Sequence, residues 1–146
     1  DEPPADYQPA NAALGIVGEI GEYAGNPTAD ELGDLLYYVT TLRRLLELPV
    51  YAFSDTPGTT EERERSIEAL RRLAGQVAEL TKKFVFHGER DEAMRRQIDR
   101  KTGALLGRIA GEARSRLDAE LKRVRAENVE KLLGRYPDGF EPRVDR

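Results

Sequence analysis

Residues 10–25, ANAALGIVGEIGEYAG, and residues 28–48, TADELGDLLYYVTTLRRLLEL, decide how this chain folds. In the first stretch Ala12, Ala13, Ile16, Val17, Ile20 and Tyr23 share one arc at helical spacing, which predicts a helix over 10–24 with that arc buried. Gly15, Gly18 and Gly21 recur every third residue along it, although each costs about 1 kcal/mol against Ala in a helix interior. Close approach of another helix or a ligand would offset that cost. After the break at Gly25-Asn26-Pro27, Thr28 followed by Glu31 has capping-box spacing. Leu32, Leu35, Leu36, Val39, Leu42 and Leu46 then give the apolar stripe of a second helix, over 28–48.

Each stretch carries a pair of acids three residues apart: Glu19 with Glu22, and Glu31 with Asp34. A three-residue step puts two side chains on one helix face, so two such helices packed together converge four carboxylates. Four facing anions repel unless a cation joins them, and a hard divalent ion with oxygen ligands suits that set. Spacing alone carries little weight, since Glu61/Glu64, Glu89/Glu92 and Glu127/Glu130 repeat it among Arg and Lys. Between 10 and 25, by contrast, Glu19 and Glu22 are the only charges. For Glu31 the capping-box role stands as an alternative.

The rest of the chain reads as helical too. Ile67, Leu70, Leu73, Ala74, Val77 and Leu80 predict a third helix over 60–87, capped by Thr59 or Thr60 after the turn-rich residues 54–58 and stopped by Gly88. Residues 91–133 are continuously helix-like. A rod that long is unusual in a chain of 146 residues, so a bend or break is expected, with Gly103, Gly107 and Gly111 marking it or a close helix crossing. Pro137-Asp138-Gly139 closes the last element. Gly75-Gln76-Val77-Ala78-Glu79-Leu80 echoes residues 18–23, with Gln76 in the place of Glu19; a degenerate internal copy and a chance match both explain it. The expected architecture is a single all-α domain over residues 1–146, resembling a four-helix bundle.

Composition narrows the chemistry. No Cys is present, which excludes disulfides and thiolate metal sites, and no GxxxxGK[ST] loop occurs. A net charge of -4 with interspersed signs argues against nucleic acid as partner. The absence of a long apolar run argues against a membrane span, and Asp1-Glu2-Pro3-Pro4 is unlike a signal peptide, so a cytoplasmic protein is expected.

Residues 13–22, ALGIVGEIGE, residues 30–38, DELGDLLYY, and residues 128–140, with Asn128-Val129-Glu130-Lys131-Leu132 and Arg135-Tyr136-Pro137-Asp138-Gly139-Phe140, resemble the MazG family of all-α nucleoside triphosphate pyrophosphohydrolases in sequence and in order. The resemblance covers about half the chain. It implies hydrolysis of an NTP or dNTP to the monophosphate and pyrophosphate by a homodimer or higher homo-oligomer. Mg2+, or Mn2+ in its place, would be held by Glu19, Glu22, Glu31 and Asp34, the catalytic set. The choice of phosphorus attacked follows from the resemblance alone.

Further substrate contacts are expected from two groups. Lys82, Lys83 and His87 read either as a phosphate clamp or as a solvated helix end with favourable dipole interactions. Relatives carry a similar stretch between the two acidic helices, whereas here it follows both. Asn128 and Lys131 share a helix face suited to a nucleotide's polar edge and phosphates, with Arg135 and Tyr136 beyond them. The segment from Arg135 also reads as a plain helix stop, with Tyr136 and Phe140 folded on the core. Two other functions fit the same residues: a nucleotide-binding module without turnover, and a helical interaction or oligomerisation module.

Overall fold

The computed structural model describes residues 7–49, 60–88 and 90–138, the side chains of 60–65 excepted. The expected turn at 54–58, the capping hydroxyl before the third helix and the folding back of Phe140 lie outside those residues. Among the described residues the protein is all-helical: α1 (Gln8–Gly25), α2 (Ala29–Leu45), α3 (Thr60–Phe86), α4 (Glu92–Arg116) and α5 (Leu121–Arg135). No helix among them is long and apolar enough to cross a membrane.

Packing follows the apolar arcs. α1 lies against α2 and α3, α2 and α3 each lie against α4, and α5 covers α2 and touches α4. Ile16, Ile20 and Tyr23 of α1 meet Leu32, Leu35, Val39 and Leu42 of α2, Leu70 and Val77 of α3, and Ile98, Leu105 and Ile109 of α4 in one core. Val17 departs from the expected arc. It is 45% exposed, because α2 and α3 cover a sector of α1 that stops short of it.

The glycine stripe of α1 divides in the same way. A Cβ added at Gly15 would overlap the Tyr38 ring, whereas nothing lies near Gly18 or Gly21. Close approach therefore accounts for Gly15 alone. The expected long last helix is broken, but not at its glycines. α4 ends at Leu117, Asp118 takes a left-handed φ of 49°, and the Ala119 N–H returns to Ala113 O at 2.9 Å. Asp tolerates that conformation through its short polar side chain, so no glycine is needed. Gly107 and Gly111 have open space where a Cβ would stand. Gly88, at φ 71°, does stop the third helix.

Two buried polar joints fix the helices around the acidic face. At one end Glu112 is 1% exposed, accepting from Tyr23 Oη at 2.7 Å and Arg116 Nε at 2.8 Å on one oxygen and from Ser66 Oγ on the other. This ties α1 to α3 and α4 one residue beyond Glu22. Burial, then the Glu112 carboxylate, pushes the Tyr23 phenol far above its ordinary range, so it stays a donor. At the other end Arg43 binds Asp99 at 2.8 Å, Thr102 Oγ1 at 2.7 Å and Pro49 O at 2.5 Å, joining α2 to α4.

Gln76, the counterpart of Glu19 in the sequence echo, stands in an open groove between α3 and α4 beside Glu79, Gln97 and Lys101, and its Oε1 is buried without a partner. No acid pair stands among the residues that line this groove.

The two glycine environments predict opposite effects. Gly15→Ala forces Tyr38 aside and should destabilise the protein by about 1–3 kcal/mol. Gly18→Ala, on an open helix surface, should stabilise it by roughly 0.5–1 kcal/mol. Urea unfolding of the two variants against wild type checks both signs.

Candidate metal centre

α1 and α2 form an antiparallel pair whose short connection, 26–28, brings the last turns of one beside the first turns of the other. Thr28 caps α2, its Oγ1 accepting from Glu31 N at 3.3 Å. The reciprocal half of a capping box is not made: Thr28 N–H bonds to Asn26 O at 2.8 Å, and the Glu31 carboxylate turns to the other acids. The capping alternative for Glu31 is thereby replaced by a place in the cluster.

Glu19, Glu31 and Asp34 each offer a carboxylate oxygen, and these oxygens all lie within 4.8 Å of one another. Three of the four expected acids converge there; Glu22 is near enough to raise the carboxyls of Glu19 and Glu31 but is not one of the three whose oxygens meet. Glu19 Oε2 and Glu31 Oε2 are shielded from solvent with no hydrogen-bond partner. Burial first, then Glu22 and Asp34, pushes the Glu19 carboxyl from its ordinary 4.5 to about 8. Glu31 is raised for the same reasons, burial followed by Glu22. Orphaned, buried carboxylate oxygens in a group of this size are what a hard divalent cation satisfies. The residues present therefore fit Mg2+ or Mn2+.

α5 completes one side. Gly33 lies under it, the place for a Cβ being 3.0 Å from Asn128 Cβ, and this closeness lets Asn128 Nδ2 donate to Asp34 Oδ1 at 2.9 Å. Lys131 Nζ binds the same oxygen at 2.5 Å and Asp30 Oδ1 at 2.8 Å. Its ammonium is held above its usual pKa by Asp30 and Asp34, which outweigh partial burial. The structure thus brings Asn128 and Lys131 to the acids, as their shared face suggested. Tyr136 ends α5 half-buried and lies close enough to Tyr38 to interact with it, while Arg135 is exposed in the last turn.

Comparison with models of known families, with curated proteins and with solved structures finds no match for this chain.

Lys82, Lys83 and His87 are not brought to the acids. They belong to the end of α3 where Phe86 meets Tyr7 at the start of α1, ring centroids 5.3 Å apart. The rise from Tyr7 to Glu19 along α1 is about 18 Å. Lys82 is paired with Glu79 at 3.0 Å, and His87 is exposed. The solvated-helix-end alternative accounts for this segment. Tyr38, by contrast, was not among the expected site residues although it sits beside the acids. Its phenol is raised by burial and then by Glu19, Asp34 and Glu22. The sequence held one signal for it: Tyr38 is four residues after Asp34, on the same face of α2.

The raised Glu19 carboxyl sets a pH dependence. The folded state retains a proton that the unfolded chain releases above about 4.5, so this contribution to stability is complete below that pH and is lost as pH rises through about 8. In a chelator, the unfolding midpoint should fall between about pH 5 and pH 8, and Glu19→Gln should flatten that slope. A slope unchanged in the variant would contradict this assignment of the proton.

Proposed function

We propose that this protein is a divalent-cation-dependent nucleoside triphosphate pyrophosphohydrolase of MazG-like type. The convergence of Glu19, Glu31 and Asp34 with two orphaned buried oxygens carries the reading. The resemblance of residues 13–22, 30–38 and 128–140 supplies the reaction. Glu19, Glu22, Glu31 and Asp34 are the groups to hold Mg2+ or Mn2+. Bound there, the cation would supply neutralisation of phosphate charge and a water of lowered pKa for attack at phosphorus.

The chain's own groups do the rest. Asn128 orients Asp34 by donating to its Oδ1. Lys131 brings a cation to the edge of the site, where an anionic phosphate chain enters. Tyr38 lies over the bare backbone of Gly15 and walls one side against water. Phosphoryl chemistry depends on positioning and electrostatics more than on a covalent nucleophile, and this set of residues suits that demand.

A second reading is favoured by Leu14 and Val17, 67% and 45% exposed on the same helix as the open Gly18 and Gly21: a face of α1 serving oligomerisation. It is compatible with the first as a homodimer or higher oligomer. As the sole function it requires no metal dependence.

With Mg2+ and a panel of NTPs and dNTPs, the protein should release pyrophosphate and a monophosphate. Glu22→Gln and Asp34→Asn should each lower turnover at least about a hundredfold while leaving the helical circular dichroism unchanged. Orthophosphate and a diphosphate as products, or full activity in either variant, would contradict the proposal.

A further inference from the structure

Lys131 is held by the same carboxylate that the proposed metal centre needs. Its ammonium engages Asp34 Oδ1 at 2.5 Å and Asp30 Oδ1 at 2.8 Å, and the side chain is 19% exposed. Asn128 donates to that same Oδ1 at 2.9 Å, so two donors saturate one oxygen of a candidate ligand. The two donors differ electrostatically. An amide orients a carboxylate without opposing a cation beside it. An ammonium at this distance repels an incoming divalent ion, and it offsets part of the mutual repulsion of the acids that such an ion would otherwise relieve.

We propose that Lys131 is an internal counter-cation of the carboxylate cluster, competing with the divalent ion for Asp34 and holding metal affinity low until a triphosphate offers the ammonium another anion. This rests on the reading of the acids as a metal site. It makes metal and triphosphate binding mutually dependent through one side chain: the phosphate chain draws Lys131 from Asp34, Asp34 is then open to the ion, and by linkage each ligand strengthens the other equally. Lys131 is well placed for such a change of partner. It lies one turn beyond Asn128 on α5, which rests on α2 and only lightly on α4. Val129 and Leu133 of the same helix are 45% and 55% exposed, so few apolar contacts resist a small shift of its end.

Mn2+ titration followed by electron paramagnetic resonance, on the full chain at fixed pH with and without a non-hydrolysable triphosphate analogue, tests the proposal. Lys131→Met keeps the aliphatic stem and should bind Mn2+ alone about tenfold more tightly than wild type. Its gain in Mn2+ affinity on adding the analogue should shrink by a similar factor. Asn128→Ala, which removes only orientation, should not tighten Mn2+ binding. Lys131→Gln serves if the Met variant does not fold, and Lys131→Arg should restore wild-type behaviour. Equal or weaker Mn2+ binding in both neutral variants would overturn the proposal while leaving the metal site standing. An undiminished effect of the analogue in those variants would also overturn it. Absence of Mn2+ binding in wild type and variants alike would overturn the metal reading, and this proposal with it.

Discussion

Glu19 and Glu31 each keep a carboxylate oxygen away from water without a hydrogen-bond partner, and both sit within ligand distance of Asp34. Buried unsatisfied acceptors cost stability, and like charges this close cost more as the acids ionise. The structure pins them there regardless. Thr28 caps α2 so that Glu31 and Asp34 face α1, while Tyr23 locks the end of α1 to Glu112 one residue past Glu22. Gly15 and Gly33 remove side chains where Tyr38 and Asn128 must come close. A fold that spends stability to gather acids is the pattern expected at a functional site.

The partners of the acids fall into two kinds. Among the described residues, Asn128 and Lys131 meet Asp34 from α5, whereas Glu19 and Glu31 each retain a buried oxygen without a hydrogen-bond partner. The proposed cation answers those orphaned oxygens and the proposed exchange of Lys131 answers its hold on Asp34, while the proposed triphosphate rests on the sequence resemblance. The groove at Gln76 offers a contrast, because a single acid, Glu79, lines it together with Gln97, Arg72 and Lys101.

Much of this was legible in the sequence because local rules and the fold agree. The apolar arcs of α1 and α2 fixed both helices, and the acids beside those arcs converge as their spacing required. Asn128 and Lys131 announced their shared face. What escaped was decided by distant residues. Glu112, four residues before Arg116, reads as one more solvated pair; only the arrival of Tyr23 and Ser66 from other helices buries it. The break between α4 and α5 left no glycine or proline to read, since Asp118 takes the left-handed turn. Lys82, Lys83 and His87 looked suited to phosphate by composition, but the antiparallel run of α3 along α1 carries them to the far end of the bundle.

The central claim is that these acids hold a divalent cation, and the most direct measurement is anomalous diffraction from crystals grown with Mn2+. The account predicts a peak bounded by the carboxylates of Glu19, Glu31 and Asp34, at oxygen distances of about 2.0–2.3 Å. Mn2+ found only at isolated surface acids, with Glu19 and Glu31 still unligated, would contradict it.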